Sequence, residues 1–177
     1  IYHFDFDAFH NLNAFGSENL PTSLSRDPHH SYLFDTNGAD DVGNSDLTAM
    51  DLQIVSDNER GNVLSVNSNG AEALASDNNF KLAEAFTIST WFKMNSSARW
   101  QAITALGDEN DFVYFTPFAF NDHPYIVVDG PESRGFYLVD NAKLPQDTWI
   151  HLAFTYFNDN WAAYLNGEQV ATFVHHF

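Results

Sequence analysis

The sequence predicts an all-β protein that folds as a two-sheet antiparallel β-sandwich, and three observations support this fold class. Clusters of Gly, Asn, Asp, Ser and Pro, the residues typical of turns, recur roughly every ten residues along the chain. The runs between these clusters are short, rich in β-branched and aromatic residues, and mostly alternate between apolar and polar positions. Hydrophobic residues make up 44% of the 177 residues and aromatic residues 16%, which suffices for one packed core.

The predicted strands follow one another along the whole chain. The first candidate is residues 1–7, and a loop-like stretch at 11–30 separates it from a second candidate at 31–35. The alanine-rich stretch 71–86 is interrupted by four polar residues in its middle, so we predict strand, loop and one helical turn there, not a helix. The remaining runs are residues 62–66, 86–93, 101–106, 111–115, 124–129, 135–140 and 149–157.

The last part of the chain carries the strongest strand signals. Successive side chains of a strand point to opposite faces, so alternate residues of 149–157 share a face. One face takes Ile150, Leu152, Phe154 and Tyr156, and the other takes Trp149, His151, Ala153 and Thr155. Asn166-Gly167 follows between two β-prone segments, and this pair accepts the positive φ angles of a two-residue hairpin turn. The sequence therefore predicts a β-hairpin around residue 166.

The charge of the chain is strongly negative, which limits the partners it can bind. There are 24 Asp+Glu against 7 Lys+Arg, a formal net charge of -17. Such a surface repels nucleic-acid phosphates and anionic lipid headgroups, so we expect no nucleic acid and no membrane insertion. No apolar run approaches the roughly 18 residues of a membrane span, and there is no cysteine for disulfide or thiol chemistry. We expect a salt-tolerant extracellular protein, secreted or at the cell surface.

Four segments, taken in order, resemble the laminin-G-like, or concanavalin A-like, jelly-roll domains of secreted and extracellular proteins. They are residues 31–49, 59–93, 100–115 and 147–172. The last segment is the most specific, because a Trp, an alternating strand, a polar turn and a Tyr-x-Asn-Gly hairpin follow at the spacing of the family. The resemblance implies two antiparallel sheets packed face to face, with loops that carry the function. It also implies an N-terminal extension at 1–30 and a laminin-G-like domain at 31–177.

The resemblance further implies an unfilled place in the sandwich. Members of the family usually continue past the Tyr-x-Asn-Gly hairpin with further strands, and this sequence has few residues after Thr172. An open sheet edge would leave backbone N–H and C=O groups that invite another strand. Either the chain is cut short or an extra element fills this place, and residues 1–30 are a candidate for that element, in their own chain or in a neighbouring copy.

An acidic loop after the second strand candidate is a candidate calcium site. Hard oxygen ligands at short spacing on a glycine-containing loop suit Ca²⁺, and related jelly rolls often hold calcium at such an early loop. The candidate ligands are Asp35, Asn37, Asp40, Asp41, Asn44 and Asp46. The loop is not an EF-hand, because Ala39 and Asp40 occupy positions that need a ligand and a glycine. The alternative is an Asx-rich turn that holds no ion, and the second acidic loop, 107–111, is predicted as a solvated turn.

Aromatic and polar residues accumulate around residue 120 and form a candidate glycan site. Aromatic rings stack on the apolar face of a sugar, while amide and carboxylate groups bond its hydroxyls. The candidates are Trp100, Phe118, Phe120, Asn121, Asp122, His123, Tyr125 and Trp161. The alternative for any single ring is a core position, and Trp91 and Trp149 match framework positions of the family. The histidine pairs 29–30 and 175–176 lack the spacing of a zinc site, so we predict exposed histidines.

The sequence contains no pattern that predicts catalysis. The Glu-x-Asp-x-x-Glu strand that supplies two carboxylates to retaining glycosidases on related folds is absent, as is Gly-x-Ser-x-Gly. We therefore predict a non-catalytic, lectin-like or adhesion domain that binds a polysaccharide or other glycan, with Ca²⁺ as a candidate cofactor. The alternative is a structural subunit of an extracellular fibre or surface layer, assembled from further copies of itself by strand exchange.

Overall fold

The computed structural model describes residues 2–5, 30–43, 46–48, 53–66, 74–75, 85–107, 111–130 and 133–176. Regular structure in these ranges is β, apart from one 3-10 turn at Phe120–Asp122. The strands are β1 (Tyr2–Asp5), β2 (Leu47–Thr48), β3 (Gln53–Asp57), β4 (Gly61–Val66), β5 (Leu74–Ala75), β6 (Ala85–Met94), β7 (Thr104–Gly107), β8 (Phe112–Thr116), β9 (Tyr125–Asp129), β10 (Arg134–Leu138), β11 (Ile150–Phe157), β12 (Asn160–Leu165) and β13 (Glu168–Val174).

The strands form two main antiparallel sheets, as predicted. The large sheet has the order β13-β12-β11-β6-β1-β4-β3, and the small sheet has the order β10-β9-β8-β7. The short strands β2 and β5 pair with each other in a separate two-stranded sheet. Among the described residues there is no helix with the length and apolarity needed to cross a bilayer.

The hydrophobic core lies between the two sheets. The four side chains that alternation predicts for one face of β11, from Ile150 to Tyr156, all belong to it. Phe92 of β6 meets Phe115 of β8 across the sandwich, with ring centroids 5.7 Å apart. At one edge of the sandwich, the ring of Tyr137 on β10 stacks on the ring of Phe173 on β13, with centroids 3.8 Å apart. These contacts join the sheets and fix which face of the small sheet points outward.

Trp149 has a framework role, in agreement with the sequence. Its indole Nε1 donates to Oδ1 of Asp57 over 3.0 Å, and the ammonium group of Lys93 pairs with Oδ2 of the same carboxylate. The Asp57 side chain is only 7% exposed. Burial alone would raise its pKa, but the hydrogen bonds from Lys93, the Glu59 N–H and Trp149 hold the pKa well below its usual range. Asp57 thereby ties β3 to β6 and to the start of β11.

The hairpin predicted at Asn166-Gly167 joins β12 to β13. Both turn residues have positive φ, 50° for Asn166 and 83° for Gly167, as a type I′ turn requires. The Asn166 side chain also accepts a hydrogen bond from the backbone N–H of His151 at 2.9 Å. This contact anchors the turn to the neighbouring strand.

The strand predicted at 31–35 does not form. Tyr32 and Phe34 are buried, but Phe34 has a φ of 58°, which interrupts an extended chain. The backbone of this segment bonds the acidic loop instead: the Asp41 N–H donates to the Ser31 carbonyl at 2.7 Å. Residues 31–35 are therefore a core-packed loop, because their hydrogen-bond partners lie on a loop and not on a strand.

The strand candidate at 1–7 appears as β1 within the large sheet of its own chain. It pairs antiparallel with β4 and with β6, so that Tyr2 lies opposite Val66 on one side and Met94 on the other. Residues 6–29 lie outside the described part of the chain, and a domain boundary at residue 30 stays a prediction.

Candidate functional site

Four aromatic rings meet on the outer face of the small sheet, and we call them the aromatic cluster: Trp100, Phe120, Tyr125 and Phe136. Three of the four residues are exposed to solvent, with exposed fractions of 43% for Trp100, 47% for Phe120 and 44% for Phe136. Phe120 lies at the centre, 4.9 Å from Trp100, 5.4 Å from Tyr125 and 5.6 Å from Phe136 between ring centroids. The rings meet edge to face, the geometry that aromatic quadrupoles favour.

Alternation along the strands explains why these rings face outward. Tyr137 and Ile126 point into the core, so their neighbours Phe136 and Tyr125 point to the opposite face. Trp100 and Phe120 reach the same face from the loops that precede β7 and β9. The cluster is therefore built from two strands and two loops.

The two loops hold unusual backbone conformations. Trp100 has a φ of 62°, and Asn121 and Asp122 have φ values of 56° and 61°. A positive φ is uncommon in any residue but glycine and is an outlier for a bulky side chain. The Trp100 N–H donates to the Phe118 carbonyl at 2.8 Å, which fixes this turn against the other loop. Such strained positions concentrate at functional sites.

An ion triad connects the loops that carry the cluster. Asp122 accepts a hydrogen bond from Nε of Arg99 at 2.8 Å through Oδ1 and from Nζ of Lys143 at 2.9 Å through Oδ2. The hydrogen bonds from Lys143 and then Arg99 lower the pKa of the Asp122 carboxyl. Arg99 precedes Trp100, and Asp122 follows Phe120 by two residues. The triad therefore bridges the two ring-bearing loops at the surface.

Two buried polar atoms beside the cluster have no hydrogen-bond partner within the described ranges. They are Oε1 of Gln101 and Nδ1 of His123. Gln101 follows Trp100, and His123 follows the ion triad residue Asp122. Buried polar atoms without a partner are rare in native proteins. They leave unused hydrogen-bonding capacity next to the exposed rings.

Two of the predicted glycan-binding residues belong to the core. Phe118 is 2% exposed and Trp161 is 1% exposed, and both pack in the main hydrophobic cluster. The Trp161 indole donates to the His175 carbonyl at 3.0 Å. Neither ring offers a free face, so we withdraw both assignments. The prediction of exposed histidines is wrong for His175, which is buried and whose ring Nδ1 lies 2.7 Å from the Tyr137 hydroxyl.

The other candidates lie together, with one addition that the sequence reasoning missed. Trp100, Phe120, Asn121, Asp122, His123 and Tyr125 all lie in or beside the aromatic cluster. Phe136 lies in a predicted strand, residues 135–140, and is not among the predicted site residues. Alternation across residues 134–138 was the available signal, since it places Phe136 opposite the core-facing Tyr137.

The acidic loop uses its carboxylates to hold its own backbone. Oδ1 of Asp40 accepts hydrogen bonds from the backbone N–H groups of Ser31, Val42 and Gly43, and Oδ2 lies 2.6 Å from Nδ1 of His30. Oδ1 of Asp46 accepts from the Asp40 N–H at 2.9 Å. Two further candidates do the same over short spans: Asn37 accepts from the Ala39 N–H, and Asp41 accepts from the Leu33 N–H. For Asp35, the backbone carbonyl accepts a hydrogen bond from Nδ2 of Asn62.

In the described arrangement these carboxylates bond N–H groups of their own loop. Calcium needs six to eight oxygen ligands around one point, whereas the Asp40 oxygens already face N–H donors. No group of three or more His, Asp or Glu that could hold a metal occurs among the described residues. Asn44, the sixth candidate, lies outside the described ranges, as do residues 108–110 of the second acidic loop. Calcium binding stays a prediction.

A shallow pocket of about 270 Å³ lies near the other end of the ion triad. Lys143, which bonds Asp122, also lines this pocket together with Asp140, Leu144, Ile150 and Glu168. None of the described residues that line it is aromatic. The aromatic cluster is therefore the stronger candidate for a site that stacks against a planar or ring-shaped ligand.

Comparison with known protein families identifies the fold family. The sequence model of one protein family, described as the concanavalin A-like lectin/glucanases superfamily, matches residues 67–176, which is more than half of the chain. The chain belongs to this superfamily. The resemblance to laminin-G-like domains that the sequence motifs indicate is thus confirmed. The aromatic cluster lies within the matched part of this concanavalin A-like domain.

A solved structure shares the fold of this concanavalin A-like chain. It is domain 4 of AbnA, a GH43 extracellular arabinanase from Geobacillus stearothermophilus, determined in complex with arabinotriose. The sequence identity is 18% and the TM-score is 0.70, over 84% of this chain and 76% of that one. No curated protein sequence matches this chain significantly.

Proposed function

We propose that this protein is a non-catalytic, extracellular carbohydrate-binding domain and that the aromatic cluster is its binding site. The observation that carries the proposal is the mutual contact of Trp100, Phe120 and Phe136, each more than 40% exposed, on one sheet face. Contiguous exposed apolar groups on a soluble protein mark an interaction site. Aromatic rings rimmed by polar groups suit sugars, which combine apolar C–H faces with hydroxyls.

The polar groups around the cluster support this choice. Asn121 is exposed beside Phe120, and the ion triad of Asp122, Arg99 and Lys143 supplies donors and acceptors at the edge of the rings. Such groups suit a sugar, which bonds to donors and acceptors through its hydroxyls while its C–H face stacks on the rings. The related arabinanase domain, which was determined with arabinotriose and comes from an extracellular enzyme, gives further support.

The chemistry of Asp122 supports binding over hydrolysis. A glycosidase needs two carboxyl groups on either side of the scissile bond, one of them with a raised pKa so that it can donate a proton. Asp122 is the carboxylate that the described residues place beside the rings, and its pKa is lowered by Lys143 and Arg99. A carboxylate held ionised by two cations is a poor general acid.

Affinity measurements on two variants test the proposal. A panel of neutral and acidic polysaccharides identifies a binder for the wild type, and calorimetry then compares Trp100→Ala with the control Leu33→Ala. Leu33 is 44% exposed, similar to Trp100, but lies on the acidic loop segment. We expect Trp100→Ala to weaken binding about tenfold, or about 1.4 kcal/mol, since it removes one stacking ring. Equal affinity of both variants, or no binding to any glycan, would disprove the proposal.

The alternative function, a fibre subunit assembled by strand exchange, has less support. Its motivation is the strand candidate near residue 1, and β1 pairs within its own chain between β4 and β6. Size-exclusion chromatography with and without EDTA distinguishes the two functions. A glycan-binding monomer would exclude the fibre, and a polymer that ignores every sugar would exclude the binding domain.

A further inference from the structure

We propose that the site takes an elongated, uncharged glycan chain, because a second aromatic unit lies on the same sheet face beside the aromatic cluster. The unit consists of Phe112 and Tyr114 on β8, and we call it the outer pair. The inference rests on the proposed function and assigns the class of glycan and a second point of contact. It predicts that the protein binds chain interiors and discriminates glycans by length.

The outer pair points away from the core. Val113 and Phe115 belong to the hydrophobic core, so Phe112 and Tyr114, which alternate with them, face outward. Their rings are roughly parallel, with centroids 5.9 Å apart and planes inclined by 27°. Both residues are half-buried, which leaves part of each ring accessible. The pair therefore offers a surface of the same kind as the aromatic cluster.

The register of the small sheet aligns the two aromatic units. Tyr114 of β8 lies opposite Val127 of β9, and Val127 lies opposite Phe136 of β10. Two strand spacings separate Tyr114 from Phe136, which is about 10 Å. Val127 is 1% exposed although it faces away from the core, so side chains on this face cover it. The outer pair and the cluster therefore flank Val127 along one line across the strands, and we call this line the track.

The charges along this track are paired, which favours an uncharged ligand. Nε of Arg134 donates to Oδ2 of Asp129 at 2.9 Å, and its guanidinium also lies 5.2 Å from the centre of the Phe112 ring. In the sheet register, Asp129 lies opposite Phe112, and Arg134 lies opposite Asp129 on the next strand. At the other end of the track, Asp122 pairs with Arg99 and Lys143. The cations along the track already pair with carboxylates of the protein, so they are poor partners for an acidic glycan. The net charge of -17 would also repel such a glycan.

A length series of glycans tests the second contact. The probes are linear arabinan, xylan, mannan and β-glucan, each as trisaccharide and as polymer, with polygalacturonate as the acidic polymer. Calorimetry compares the wild type with Phe112→Ala, Tyr114→Ala and Tyr114→Leu, and with Tyr164→Ala as an aromatic control on β12. Far-UV circular dichroism checks that each variant is folded, and Tyr114→Leu keeps apolar volume if Tyr114→Ala does not fold.

The expected result is a length-dependent loss. Substitution of the outer pair should weaken polymer binding about tenfold and change trisaccharide binding less than twofold, whereas Trp100→Ala weakens both. Polymer affinity unchanged in the outer-pair variants but lost in Trp100→Ala would overturn the second contact and leave the proposed function standing. Equal losses for trisaccharide and polymer, or stronger binding of polygalacturonate than of every neutral polymer, would overturn the elongated, uncharged ligand. Failure of all probes to bind would overturn both proposals.

Discussion

The guanidinium Nε of Arg99 lies 2.8 Å from Oδ1 of Asp122, and this contact joins the two loops of the aromatic cluster. Arg99 precedes Trp100 in the chain, and Asp122 ends the turn that begins at Phe120. Both loops contain residues with positive φ, so their conformations need support from outside the loop. Asp122 supplies that support as a positioning residue, with Lys143 as its second partner.

Acidification should loosen the aromatic cluster before the protein unfolds. Because the folded state lowers the pKa of Asp122 below its ordinary value of 3.8, the triad is intact above that value and is lost as the pH falls through the lowered pKa. The near-UV circular dichroism signal that Trp100→Ala removes should therefore decrease at low pH. Asp122→Asn should show the same decrease at neutral pH, and high salt should lower the wild-type signal there because it screens the exposed ion pairs. An unchanged spectrum in Asp122→Asn would show that the triad does not position the ring.

Replacement of Trp161 and replacement of Trp100 by alanine should have very different effects on the free energy of unfolding. Trp161 is buried and bonds the His175 carbonyl, so Trp161→Ala should lower the free energy of unfolding by about 3–5 kcal/mol. Trp100 is 43% exposed, and Trp100→Ala should change it by about 0.5 kcal/mol or less. Urea denaturation measures both values. Similar losses for the two variants would contradict the assignment of Trp161 to the core and Trp100 to the surface.

Removal of the Asp57 carboxylate should lower the free energy of unfolding by an amount that depends on pH. Asp57→Ala leaves the Lys93 ammonium and the Trp149 N–H without their acceptor, which should cost about 3 kcal/mol at neutral pH. The folded-state pKa is lowered, so the contribution is complete above 3.8 and declines as the pH falls below that value. Denaturation curves of wild type and variant should therefore converge in acid. A difference that persists undiminished at the lowest pH would point to lost packing in place of the ion pair.

Asp40 should stabilise its loop without a metal. Asp40→Ala removes an acceptor shared by three backbone N–H groups, and we expect a loss of about 1–3 kcal/mol in calcium or in EDTA. The melting temperature measured in both buffers checks this. If calcium raised the melting temperature of the wild type and not of Asp40→Ala, the Asp40 carboxylate would be a ligand and its hydrogen-bonded arrangement would be wrong.

The sequence predicted those elements whose signal is local. The alternation from Ile150 to Tyr156 identifies β11 and its core face, because burial on one side imposes a period of two. Asn166-Gly167 identifies its hairpin because few residue pairs accept two positive φ angles. The exposed site was found in part, through the accumulation of rings and amides between Trp100 and Tyr125.

The remaining features depend on contacts between distant segments. The position of β1 between β4 and β6 is a matter of long-range pairing, which no local pattern encodes. Residues 31–35 have strand composition, but the carboxylates of Asp40 and Asp41 compete for their backbone N–H groups. Phe118 and Trp161 are the same residue types as the exposed Phe120 and Trp100. Only the packing of the two sheets distinguishes core aromatic residues from surface ones.

The indole N–H signals of the four tryptophans in a glycan titration followed by NMR test the central claim most directly. Trp149 and Trp161 donate their indole N–H groups to Asp57 and to the His175 carbonyl, whereas Trp100 lies in the exposed cluster. We predict that the Trp100 signal, assigned by its absence in Trp100→Ala, shifts with added glycan while the signals of Trp149 and Trp161 stay in place. A bound glycan that leaves the Trp100 signal unmoved would contradict the account.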